Sequence, residues 1–169
     1  MKNSVASSLD AIDYRILREL SREGRISDVD LGERIHLSST AVARRRKILE
    51  EKQVIVGYSA NLDLARLGFS IVAIVTVEIA SQAEHVLNEF EAEVIKCPSV
   101  SFCGFISGDT DFMMIIHVRS FDDYDAIYRR ELSKLPHVRR IRSSFLMREV
   151  AHRSTAPVVL EQPSGAGES

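Results

Sequence analysis

Three helix starts lie within about 40 residues, each marked by a capping side chain and an apolar pair at staple spacing. Asp10 can cap a first helix, with Asp13 three positions on. Leu9 and Tyr14 are placed as its staple, and Ile16, Leu17 and Leu20 form its apolar stripe. Gly24 stands where a helix stops in the C′ role. Ser27 opens a second helix with Ile26 and Leu31 as staple and Ile35 a turn further on. Ser38 opens a third, with Leu37 and Val42 at staple spacing and Leu49 two turns below. Only His36-Leu37-Ser38 separates the second helix from the third. A link that short sets the two steeply across each other, as in a helix-turn-helix.

After this block the period of apolar residues changes. Val54, Val56, Tyr58, Ala60 and Leu62 alternate, which predicts a strand leading out of the helices, and Leu64–Gly68 reads as a turn or hinge. A strand over Phe69–Ile79 precedes a helical stretch (Val86, Leu87, Phe90, Val94), and Cys97-Pro98-Ser99-Val100 opens a new strand. A strand over Phe112–Val118 precedes a second helical stretch (Tyr124, Ile127, Tyr128, Leu132, Leu135), and Leu135-Pro136-His137-Val138 opens the last strand. Each proline sits where a helix must end. The order βαββαβ is the ferredoxin-like arrangement, four antiparallel strands with both helices on one face. In the first strand Phe69, Ile71, Ala73, Val75, Val77 and Ile79 fill one side, yet Val72 and Ile74 lie on the other. An open antiparallel sheet has a polar outer face. The apolar second face therefore predicts a covering subunit, most simply across a two-fold axis, with Val72 and Ile74 in the dimer interface.

Charge adds one localised signal. Residues 1–60 hold 11 Lys+Arg against 9 Asp+Glu, while the remaining residues hold 11 (22 − 11) against 15 (24 − 9). The dense positive run is Arg44, Arg45, Arg46 and Lys47, on the third helix. Val42, Arg45 or Arg46, and Leu49 make its buried stripe, leaving Ser39, Thr40, Ala43, Arg44 and Lys47 outward. Short polar residues at the first turn, Ser38 included, can approach base edges, while Arg44 and Lys47 reach guanine or phosphate, and Arg45 and Arg46 of the same run are counted with them as DNA-binding candidates. The bland alternative is a solvated basic face. The capped helix-turn-helix context favours double-stranded DNA.

These segments together resemble the leucine-responsive regulator/AsnC (Lrp/AsnC) family of bacterial and archaeal transcription factors. The resemblance rests on Leu9–Asp13, Gly24–Ser27, Ile35–Ser38, the arginine-rich helix and Val54–Asp63, and continues through Ser107–Phe112, Leu135–Val138 and Ser143–Phe145. It implies an α+β chain: an N-terminal winged helix-turn-helix domain, then a ferredoxin-like domain of the RAM/ACT-like kind. It also implies dimers that assemble into tetramers, octamers or larger rings, and an amino acid or related metabolite as effector. The expected organisation is a disordered stretch over 1–8, a DNA-binding domain over 9–53, a strand linker and hinge over 54–68, an effector and oligomerisation domain over 69–152, and a flexible tail over 153–169. Three positions depart from the family pattern. Gln53 replaces a helix-closing glycine, Arg46 replaces an aliphatic residue, and Gly32 replaces a frequent alanine at about 1 kcal/mol of helix propensity. Gln53 is expected to close the helix without positive φ. The Arg46 head is expected to reach outward or to add a phosphate contact.

Gly108-Asp109-Thr110-Asp111 joins the second and third strands, and such a sequence is also what a tight turn prefers on steric grounds alone. The resemblance makes it an effector loop. A free amino acid needs a carboxylate, from Asp109 or Asp111, for its ammonium group. It also needs amides or hydroxyls, around Gly108 and Thr110, for its carboxylate. Gly104 permits a close approach to the backbone. Histidines 36, 85, 117, 137 and 152 are scattered, and Cys97 and Cys103 form neither a disulfide framework nor a zinc set. No phosphate loop or nucleophile elbow is present. The expectation is therefore a non-enzyme without cofactor or metal. It is a regulator in the cytoplasm, at the nucleoid, with no apolar run long enough to span a bilayer and no secretory signal in MKNSVASSL. Two alternatives share this outline: a siroheme-decarboxylase-like enzyme, and a metabolite sensor that acts through a protein partner.

Overall fold

Each of the three predicted helix starts is a capped start in the structure, a computed structural model that describes residues 9–161. The expected disorder of 1–8, and of the tail beyond Glu161, lies outside the described residues. Helix α1 spans Ala11–Arg22, and a full capping box closes its start. The Asp10 carboxylate accepts from the Ile12 and Asp13 amides, and Asp13 accepts from the Asp10 amide. Helix α2 spans Asp28–Ile35 with Ser27 as cap, and α3 spans Ser39–Glu51 with Ser38 as cap. Ile16, Leu20, Ile26, Leu31, Ile35, Val42 and Leu49 bury their side chains together, so each helix's apolar stripe meets the other two.

Two details of the punctuation differ from expectation. Gly24 follows the α1 cap residue Glu23 but does not take a positive φ, so chain reversal there owes nothing to its left-handed freedom. Gln53, in contrast, takes φ 56° and closes α3 left-handed without being glycine. Its side-chain amide donates to the Glu50 carbonyl at 3.1 Å, which offsets part of the strain. That conformation costs a side-chain-bearing residue about 1–2 kcal/mol. Gln53→Gly is therefore expected to raise stability by about 0.5–1 kcal/mol, after the extra freedom of glycine in the unfolded chain. A thermal melt that stays put or falls contradicts this.

Gly32 has a role that helix propensity does not reveal. A Cβ at this position would stand 2.5 Å from the Leu37 carbonyl oxygen, because the helix-turn-helix link folds back over it. The link is held there by the Leu37 amide on the Gly32 carbonyl at 2.9 Å, and by His36 at φ 57°. Gly32→Ala is expected to cost about 1–3 kcal/mol, the usual range for overpacking. An unchanged melting temperature would show that the link can shift freely.

The alternating residues after α3 form no strand. Val54 and Ile55 fold back to pack on the helices, both amides donating to the Leu49 carbonyl, while Val56, Tyr58, Ala60 and Leu62 are exposed. Alternation needs a paired strand to have meaning, and none stands beside this segment among the described residues of the unit. The expected strand linker is thus irregular chain, and no wing is paired there. The tail differs too. Residues 151–161 group with the helical unit, and a 3-10 turn over Pro157–Leu160 lies on α1.

The second unit covers Leu62–Val150 and has the predicted order: β1 (Ile71–Ile79), α4 (Glu84–Val94), β2 (Val100–Phe105), β3 (Phe112–Val118), α5 (Phe121–Arg130) and β4 (Val138–Phe145). The sheet order is β2-β3-β1-β4, antiparallel throughout, as the ferredoxin-like arrangement requires. The second predicted helical stretch is broken: α5 ends at Arg130, and Leu132–Lys134 continues as a 3-10 turn. Ala73, Val75, Val77 and Ile79 of β1, with Phe112, Met114, Ile116 and Val118 of β3, meet Phe90, Tyr124 and Ile127 from the helices.

Candidate functional site

Helix α3 sorts its side chains cleanly. Val42 and Leu49 are fully buried, while Ser39, Thr40, Ala43, Arg44 and Lys47 are exposed along one side. The Ser38 hydroxyl caps the helix by accepting from the Ala41 amide at 3.3 Å. Lys47 has only the adjacent-turn carboxylate of Glu51, 3.8 Å away and itself exposed, a pairing worth little in water. Arg44 makes no hydrogen bond or ion pair among the described residues.

Arg45 and Arg46 point elsewhere. The Arg45 Nη1 donates to Asp10 at 2.8 Å and to Asp13 at 2.7 Å, binding α3 to both carboxylates of the α1 capping box. Partial burial pushes the Asp10 carboxyl up. The Asp13 amide and the Arg45 guanidinium outweigh that and hold it below the usual aspartate value. Arg46 turns inward rather than outward. Its Nη2 donates to the Ile26 carbonyl at 3.0 Å, and its Nε faces the Asp28 carboxylate at 3.2 Å. These last two atoms are buried and badly aligned for a hydrogen bond, so the contact is an ion pair only. The guanidinium also lies 6.0 Å from the Tyr58 ring centre, and the Tyr58 hydroxyl donates to Glu50 at 2.8 Å. Burial first, and then that bond, push the Tyr58 hydroxyl up to about 12. Sequence alone placed 45 and 46 ambiguously on the stripe. Both flank it, and both find carboxylates on other helices.

In the second unit the loop between β2 and β3 turns at Gly108, with φ 129°, and is closed by the Ile106 amide on the Asp111 carbonyl at 2.9 Å. The two acids have different surroundings. The Asp111 carboxylate accepts from the Ile79 amide at 2.9 Å and from Gln82 Nε2 at 2.8 Å, so it clasps the loop to the end of β1. Asp109 is exposed and Thr110 half-buried beside it. Gly104 admits the ring of Phe102, since a Cβ there would lie 3.0 Å from it. The close approach at Gly104 thus comes from its own strand. Gln82 carries no motif, and only the fold brings it to Asp111.

The outer sheet face runs through Val72 and Ile74, half-buried, opposite His117 and Ile115 of β3, with Ser144 beside Ile74 on β4. Phe102 stands on the same face, 48% exposed, and the Arg142–Glu78 pair at 3.0 Å borders it. The centre is apolar and the margin is charged. Among the described residues no group of His, Cys, Asp or Glu is arranged to hold a metal, and no helix is long and apolar enough to cross a membrane. Burial raises the Cys103 thiol to about 11 and also raises the Cys97 thiol, so neither is activated as a thiolate by its surroundings.

Comparison with known proteins matches residues 9–50 to the AsnC-type helix-turn-helix domain and residues 72–156 to the Lrp/AsnC ligand binding domain. The Bkd operon transcriptional regulator of Pseudomonas aeruginosa is 36% identical over 152 residues, covering 90% of this chain and 99% of that one. The leucine-responsive regulatory protein of Haemophilus influenzae is 34% identical over 150 residues, covering 89% and 90%. Among solved structures, a transcriptional regulator of Neisseria meningitidis in complex with L-Met superposes with a TM-score of 0.84 at 29% identity. That match covers 89% of this chain and 97% of the other.

Proposed function

The chain belongs to the Lrp/AsnC family of transcriptional regulators, and from that premise we propose how its two units divide the work. It is a DNA-binding regulator with a helix-turn-helix and a ligand-binding domain. The relatives are named as regulators, which favours this reading over the decarboxylase-like enzyme and the protein-partner sensor. Helix α3 enters the major groove of duplex DNA with Ser39, Thr40 and Ala43 near base edges. Arg44 reads a base, Lys47 holds a phosphate, and Ser38 fixes the helix start. Arg45 and Arg46 hold the helix in place rather than touch DNA. The observation that carries this is the sorting of α3: its exposed side has an unpaired arginine, and its inward arginines are consumed.

The effector is an amino acid, as in the L-Met complex of the Neisseria relative. Asp109 takes its ammonium group, while Thr110 and the amides around Gly108 meet its carboxylate. Asp111 acts by holding that loop to β1. The apolar sheet face pairs two chains through Val72 and Ile74, and dimers assemble further into tetramers or octamers. The protein works in the cytoplasm, on the nucleoid.

The test is a thermal-shift screen against the proteinogenic amino acids, followed by DNA retardation with and without the one that binds. A ligand at 100 times its dissociation constant stabilises the fold by about 2.7 kcal/mol. Asp109→Ala is expected to abolish that shift and leave DNA binding intact. Asp111→Ala is expected to lower the melting temperature even without ligand. A full response in Asp109→Ala removes the loop from the ligand site. Absence of any DNA retardation at low salt overturns the role of α3.

A further inference from the structure

Arg18 and Arg22 stand one turn apart on α1, while Glu19 and Glu23 of the same helix pair with Arg34 of α2. Together with the C-terminal segment they bound a cavity of about 590 Å³, within the helical unit and its tail. Small-molecule sites usually measure about 300–1,000 Å³. One wall is α1, with Arg18, Ser21 and Arg22. The facing wall is the segment after Ala151, with Arg153, Pro157 and Leu160. The segment is latched to the helix by Arg18 Nη2, which donates to the Leu160 carbonyl at 3.1 Å.

The charge of this cavity is one-sided. Its lining holds three guanidinium groups, and Glu161 is its carboxylate. Arg18 spends one N–H on Leu160, and Arg22 is drawn partly to Glu19 at 3.2 Å. Arg153 has no hydrogen bond or ion pair among the described residues. Cations therefore stand on both walls, and the second wall adds the apolar surface of Pro157 and Leu160. A guanidinium fork is matched geometrically by a carboxylate.

We propose that this cavity is a second ligand site, one that takes a small aliphatic dicarboxylate. One end would meet Arg18 and Arg22, the other Arg153, and the methylenes would lie against Pro157 and Leu160. Such a ligand bridges the two walls and fastens the C-terminal segment to α1. The site shares no residue with the exposed side of α3 or with the Gly108–Asp111 loop, so it stands whether or not those assignments do.

Calorimetric titration of the full chain with glutarate tests it, with inorganic phosphate and glutaramide as comparison ligands. Saturable binding of a single glutarate per chain is expected, with no binding of glutaramide and phosphate weaker by about tenfold. Arg153→Gln, at an exposed position, is expected to melt like the parent chain and to lose about tenfold or more in glutarate affinity. Absence of saturable glutarate binding overturns the proposal, as does phosphate binding equally well. So does binding that survives both Arg153→Gln and Arg18→Gln. A lower salt slope for DNA in Arg153→Gln without glutarate binding assigns these arginines to DNA phosphates instead, and overturns it as well.

Discussion

Ile74→Lys is expected to leave the protein folded and to break the two-fold dimer proposed for the outer sheet face. Ile74 lies mid-strand on the outer sheet face, between Ile115 and Ser144, and the Glu78 carboxylate further along β1 is already paired with Arg142. In a lone chain the new ammonium group reaches water, so folding is spared. In a two-fold dimer the same substitution enters the seam twice, because an isologous interface uses one patch against itself. Removing a charge from water without a partner costs several kcal/mol. A penalty of about 4 kcal/mol raises the dissociation constant about a thousandfold. Sedimentation velocity at micromolar protein reads this directly, and circular dichroism reads the fold. An unchanged assembly with a native melt would place the seam elsewhere.

The second large effect is on DNA. Arg44→Ala is expected to weaken operator binding by about 1–3 kcal/mol and to flatten the preference among operator variants at one position. Lys47→Ala is expected to weaken all duplexes alike and to lower the salt slope by about one. Arg45→Ala should do neither at first hand. It strands Asp10 and Asp13 and lowers the melting temperature, and its DNA loss follows from loosening α3. Fluorescence anisotropy over a salt series, paired with thermal melts, separates the three. If Arg44→Ala and Lys47→Ala both bind as the parent chain does, the exposed side of α3 is not the DNA face.

What could be read in the chain depended on the range of the interaction. Asp10, Ser27 and Ser38 satisfy amides two or three residues away, so their caps are visible in the linear order. The βαββαβ pattern is likewise local, strand period against helix period. Arg45 and Arg46 find partners 18 to 35 positions away, and no neighbouring residue signals that either is engaged. The alternation from Val54 to Leu62 misled because a period of two describes a surface, and here that surface meets no neighbouring strand. The described part of the tail misled in the opposite sense. Its composition reads as unstructured chain, but Pro157–Leu160 forms a 3-10 turn that lies on α1, with Arg18 donating to the Leu160 carbonyl. At the Gly108–Asp111 loop the turn was legible from Gly108, while the clasp by Gln82 and Ile79 needed the sheet to bring them there.

With α3 as the proposed reading helix, the arginine that ties it to the α1 capping box also limits how this protein can change its target. A substitution at position 45 disturbs the footing of two helices at once, so drift towards a new operator has little freedom there. Positions 39, 40, 43, 44 and 47 carry no such duty among the described residues and can vary without loosening the scaffold. Copies of such a gene would be free to diverge in address while keeping one chassis.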